Sequence, residues 1–72
     1  MKVIYDTGLD VINIEFSNEP IVESDQEKPG FIIDYDEKGN PVSIEILQAS
    51  KRMSEPNGVH FSSINTQQIA RV

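Results

Sequence analysis

The segment Phe31–Met53, FIIDYDEKGNPVSIEILQASKRM, constrains the fold more than any other part of the chain. Two apolar runs, Phe31–Tyr35 and Val42–Leu47, flank the polar stretch Asp36-Glu37-Lys38-Gly39-Asn40. Short runs rich in Ile, Val and aromatic residues, bounded by turn formers, read as strands. A polar loop with Gly39 in a left-handed position closes them into a hairpin. Two registers are open. Pairing Tyr35 with Val42 gathers Phe31, Ile33, Tyr35, Val42, Ile44 and Ile46 on one face, and this register is favoured. Pairing Asp36 with Asn40, as a bulged three-residue loop prefers, mixes the faces. A slip of one residue moves every side chain to the opposite face. The following residues, Gln48–Met53, are good helix formers and predict one to two helical turns. Pro56 and Asn57-Gly58 end any helix nearby.

Upstream, Lys2–Asp6 reads as a first strand, and Asp6-Thr7-Gly8 supplies turn chemistry. Leu9–Phe16 alternates Ile12, Ile14 and Phe16 with Val11, Asn13 and Glu15, the period of a half-buried strand. Ser17-Asn18-Glu19-Pro20 breaks it. Ile21–Lys28 reads as a charged edge strand, the favoured reading, or as a mobile loop; charges on an edge discourage wrong pairing. Pro29-Gly30 is a turn. Beyond Glu55, the alternation of Val59, Phe61 and Ser63 allows a short strand, and Ile69 and Val72 fall at helical spacing. The expected fold is α+β: a small antiparallel β-meander of four to five strands with one short helix after the last hairpin. It occupies residues 1–53, and residues 54–72 form a C-terminal tail that is disordered or orders on a partner.

Size bears on function. A chain of 72 residues buries only about 60% of its unfolded surface, and with no cysteine it has no disulfide to compensate. Good packing, a homodimer or a partner must supply the rest. The balance of 12 acidic against 6 basic residues, net −6, argues against nucleic-acid binding, which needs a basic surface. The same charge keeps a small domain soluble and suits a basic protein partner. No apolar run is long enough for a transmembrane helix, and MKVIYDTG is not a signal peptide. A cytoplasmic location is expected.

No reaction centre is visible, so no catalytic, metal or cofactor-binding residue is assigned and no cofactor is expected. Asp34, Asp36, Glu37 and Glu45 lie in or beside the hairpin and read as a solvated strand face and turn residues. The spacing Asp34-x-Asp36-x-Lys38-Gly39 only faintly matches a calcium loop, because Lys38 stands at a ligand position. His60 is the sole histidine, and Ser62 and Ser63 near it lack any supporting motif. The four glycines are far apart, which leaves no phosphate-binding loop. Lys51 and Arg52 suit the C-terminal end of the helix. With Val59, Phe61 and Ile64 they form the candidate partner-binding set. The alternative is a small enzyme or ligand-binding domain that uses Asp34, Asp36 and Glu45.

Tyr5-Asp6, the alternating Leu9–Phe16, Ile33-Asp34-Tyr35-Asp36, Gly39 and the run Ile44–Arg52 (IEILQASKR) together resemble the domain of unknown function 2283 family, small bacterial proteins. The resemblance covers about residues 1–53. It implies no enzymatic activity and no catalytic residue. Some members are encoded beside small toxins, so it implies an antitoxin-like role with a basic protein such as a toxin as partner. Relatives continue into a more helical end, whereas here Pro56 and Gly58 intervene.

Overall fold

A computed structural model of the chain describes residues 1–65. Five strands form one antiparallel sheet: β1 (Lys2–Asp6), β2 (Val11–Glu15), β3 (Glu23–Lys28), β4 (Phe31–Tyr35) and β5 (Pro41–Leu47), followed by the short helix α1 (Ala49–Arg52). The order across the sheet is β1-β2-β5-β4-β3. This corrects the expected meander. β2 does not pair with β3; it pairs with β5, and β3 lies at the far edge. β5, the longest strand, thereby gains neighbours on both sides, and the strand ESDQEK, exposed along its whole length, takes an edge where charge is tolerated. The segment 16–22 makes the crossing. At up to about 3.3 Å per residue it spans the three strand spacings of about 4.8 Å that the topology requires.

The β4–β5 hairpin contains both expected registers, one at each end. At the loop, the Asp36 N–H donates to the Asn40 carbonyl at 2.9 Å and the Gly39 N–H to the Asp36 carbonyl at 3.0 Å. Asp36 Oδ1 accepts from the amides of Lys38 and Asn40, both at 2.9 Å, and Gly39 has φ 82°. This is the three-residue loop with a left-handed third position. Tyr35 then faces Pro41, but Asp34 faces Ser43, Ile33 faces Ile44 and Phe31 faces Ile46. A bulge that leaves Val42 as the extra residue converts one register into the other. It also takes Val42 out of the apolar row expected for it: Val42 is buried at 4% exposure and lines a depression with Asp34, Ser43 and Glu45.

The pairings define two faces. One carries the rows Tyr5–Ile12–Ile46–Phe31 and Val3–Ile14–Ile44–Ile33. The other carries Lys2–Glu15–Ser43–Asp34–Ser24 and Ile4–Asn13–Glu45–Ile32. On the apolar face only Ile12 is fully buried; Ile14, Phe31, Ile33, Ile44 and Ile46 are half-buried and Val3 is 40% exposed. No large side chain among the described residues is completely enclosed. Domains ordinarily bury a sheet face against a second layer. Here the elements in extensive contact are neighbouring strands of the same sheet.

α1 is anchored from outside. Its N-cap, Gln48, is left-handed with φ 52° and makes no side-chain cap. Asp10 substitutes for it: the Ala49 N–H donates to the Asp10 carbonyl at 2.9 Å, and Ser50 donates to the Asp10 carboxylate through its N–H at 2.9 Å and its hydroxyl at 2.7 Å. Beyond α1, residues 54–65 contain turns but no strand, so the short strand expected around Val59–Ser63 does not form. A strand needs a paired neighbour for its backbone groups, and the sheet's five strands all precede the turn closed by the Gly58 N–H on the Glu55 carbonyl at 3.1 Å. The expectation for Thr66–Val72 lies outside the described residues.

Candidate functional site

The hairpin carboxylates divide. Asp36 belongs to the loop, where its side chain holds the turn. Asp34 and Glu45 meet on the polar face. Asp34 is 2% exposed, which corrects the expectation of a solvated strand face at this position. Its two row neighbours bond it: Ser24 Oγ donates to Oδ1 at 2.6 Å and Ser43 Oγ to Oδ2 at 2.5 Å. Burial alone would raise its pKa, but the hydrogen bonds from Ser24, Ser43 and Glu45 together hold it below its ordinary value. Glu45 shifts the other way. Burial, the hydrogen bond to Asp34 and the repulsion of the Asp34 charge all favour its protonated form. The two carboxyls thus shift in opposite directions, the usual outcome when two such groups share a site.

Asn13, directly opposite Glu45, contributes a buried amide oxygen with no hydrogen-bond partner. With Glu15, Asp34, Val42, Ser43, Glu45 and the crossing segment it lines a depression of about 360 Å³. Ser24, Ser43 and Asn13 were not singled out in the sequence. The signal was there only in part. Polar residues at period two were visible in each run, but nothing local says that Ser24, Asp34 and Ser43 stand side by side. No group of three or more His, Asp or Glu side chains among the described residues is arranged to hold a metal ion.

The apolar face has a charged border. On the β3 side, Asp25 stands opposite Ile33 and Glu23 opposite Tyr35, and the Tyr35 hydroxyl donates to Glu27 at 3.2 Å. The phenol reports the local potential. Its pKa is raised by burial, by the bond to Glu27 and by the charges of Glu27, Asp25 and Glu23. At the other end of the face, the Arg52 guanidinium lies 4.9 Å from the centre of the Phe31 ring, a cation–π contact.

The candidate partner residues are scattered rather than convergent. Arg52 is engaged within the chain: Nε donates to the Leu47 carbonyl at 2.9 Å and an Nη to the Pro29 carbonyl at 3.1 Å. It occupies the space beside Gly30, which has φ 85° and no Cβ to obstruct it. Lys51 is exposed. Val59, Phe61 and Ile64 are 68%, 80% and 79% exposed, beyond the sheet. Among the described residues no helix is long and apolar enough to cross a membrane.

Comparison with known proteins yields a family and no nearer relative. No curated protein and no solved structure matches the chain. A family model described as protein of unknown function (DUF2283) matches residues 2–50, the stretch that holds all five strands and the start of α1. On that match the chain belongs to the DUF2283 family.

Proposed function

We propose that this chain is a non-enzymatic protein-interaction module, cytoplasmic and antitoxin-like, whose apolar sheet face docks a basic protein partner. One observation carries the reading: among the described residues, no second layer lies over the rows Tyr5–Ile12–Ile46–Phe31 and Val3–Ile14–Ile44–Ile33. The chain exposes 5813 Å², against about 4,500 Å² typical of a folded monomer of its mass. The difference, about 1,300 Å², is shared between this face, where Val3 is 40% exposed, and the segment beyond α1, where Val59, Phe61 and Ile64 are 68%, 80% and 79% exposed. The carboxylates of Glu23, Asp25 and Glu27 along one border, with a net charge of −6, suit a partner whose basic residues surround an apolar centre. The exposed Val59, Phe61 and Ile64 add apolar surface that can order on the same partner.

The test is affinity capture with the full chain, the variant Ile33→Ser on the apolar face, and Glu45→Gln on the polar face. A basic protein retained by the wild type and by Glu45→Gln, but lost with Ile33→Ser while circular dichroism shows an intact sheet, supports the reading. Retention by Ile33→Ser contradicts it. A second reading rests on the buried, unpartnered Asn13 oxygen beside the Asp34–Glu45 pair. That group of polar atoms is the place a small polar ligand would bind. In that case the capture experiment returns no protein, and Glu45→Gln abolishes ligand binding.

A further inference from the structure

The two edges of the sheet differ in a way that bears on assembly. β3 presents Glu23, Asp25 and Glu27 against one lysine, and a bulge between Gln26 and Lys28 interrupts its ladder. Charge and bulging are the usual defences of an edge strand. β1, at the opposite edge, has no bulge and carries charge only at its two ends, Lys2 and Asp6. Its pairing with β2 is regular throughout, its centre is Val3-Ile4-Tyr5, and Val3 and Ile4 are each 40% exposed. An unprotected edge with unpaired backbone donors and acceptors is a template for another strand.

The sequence of β1, Lys-Val-Ile-Tyr-Asp, complements itself in the antiparallel direction. A two-fold axis through Ile4 sets Lys2 of one copy opposite Asp6 of the other, and Val3 opposite Tyr5. Opposite charges and an aromatic beside a β-branched residue are favourable cross-strand pairs. Asp6 already accepts the Leu9 amide on Oδ1 at 3.0 Å, and an ionised carboxylate has acceptor capacity left for a lysine. Val3 and Tyr5 belong to the apolar face, so this pairing extends the apolar rows without interruption from one copy into the next. The arrangement is isologous and closes at two copies, since the outer edges that remain are the two acidic β3 strands.

We propose that β1 is a homodimer interface, pairing antiparallel with β1 of a second copy about a two-fold axis at Ile4 to form one ten-stranded sheet. This edge adjoins the proposed partner face through Val3 and Tyr5, but it is held by backbone pairing while the face is tested at Ile33, so either proposal can fail without the other. The test uses the full chain. Light scattering with size separation should give a mass twice the 8.1 kDa of the chain. Lys2→Glu, which sets two like-charged pairs across the axis, should weaken the dimer roughly tenfold or more. Because the chain has no cysteine, Ile4→Cys can be compared cleanly with Leu9→Cys, an exposed site outside the strand. Ile4→Cys should cross-link much faster on mild oxidation. A monomeric wild type overturns the proposal. So does a dimer in which Ile4→Cys cross-links no faster than Leu9→Cys, and that result holds whether or not Lys2→Glu folds.

Discussion

At the scale of single residues, the most consequential pair is Asp34 and Glu45. Each shifts in the direction that lets one proton serve both. The consequences for stability have opposite signs. Glu45 holds its proton more tightly in the folded chain, so its contribution is full below its ordinary value of 4.5 and is lost as pH rises above it. Asp34 holds its proton less tightly, so its contribution is present above its ordinary value of 3.8 and is lost as pH falls below it. The pair therefore stabilises the fold most near pH 4 and loses part of that benefit by pH 7. Glu45→Gln removes the ionisation while keeping an N–H to donate to Asp34. Its stability above pH 4.5 should no longer decline with pH, and at pH 7 it should gain on the order of 1 kcal/mol, the net worth of a hydrogen bond. Denaturant unfolding across pH 3 to 8 measures this; a variant whose profile keeps the wild-type slope above 4.5 contradicts it. Little of this was legible beforehand. Asp34 sits in an apolar run, and its bonding partners lie on two different strands, Ser24 on β3 and Ser43 on β5, so its burial follows from topology and not from local pattern.

At the scale of elements, the sequence was most legible where structure is local. β1 and β4 begin and end where the alternation and turn residues place them, and Gly39 takes the left-handed position its loop demands. The register of the β4–β5 hairpin was open because two valid preferences conflict: the loop favours Asp36 with Asn40, and the apolar face favours Ile33 with Ile44. The bulge at Val42 satisfies both. The attachment of α1 was not legible at all. A four-residue helix has little intrinsic stability, and this one depends on Asp10, which is distant in sequence. The Asp10 carboxyl is held below its ordinary range by hydrogen bonds from the Ser50 side chain, Tyr5 and the Ser50 amide. Asp10→Ala removes those acceptors but leaves the carbonyl that receives the Ala49 N–H. Amide exchange at Ser50 should then accelerate several-fold while the amides of β4 and β5 hold their protection. Unchanged exchange at Ser50 would show that α1 is held by other contacts. The order of the strands was equally hidden, because the segment 16–22 is long enough to reach either edge of a growing sheet, and a sequential meander was the simpler expectation.

At the scale of the whole molecule, a single layer of sheet must account for both stability and function. Its polar face is partly filled by the crossing segment and the Asp34–Glu45 cluster. Its apolar face has Arg52 at one corner and acidic residues along one border. Small domains leave little margin between burial and conformational entropy, so an uncovered apolar face represents stabilisation that a partner can complete. The central claim is that this face is open in the isolated chain. The most direct measurement is methyl NMR with a soluble nitroxide, which broadens signals according to their access to solvent. Ile12, at 6% exposure, is the internal reference. The account predicts that the methyl groups of Ile14, Ile33 and Ile44 broaden clearly more than that of Ile12 in the purified protein, and recover when partner is added. Protection of all four to the same degree would mean that the face is already covered, and would contradict the account.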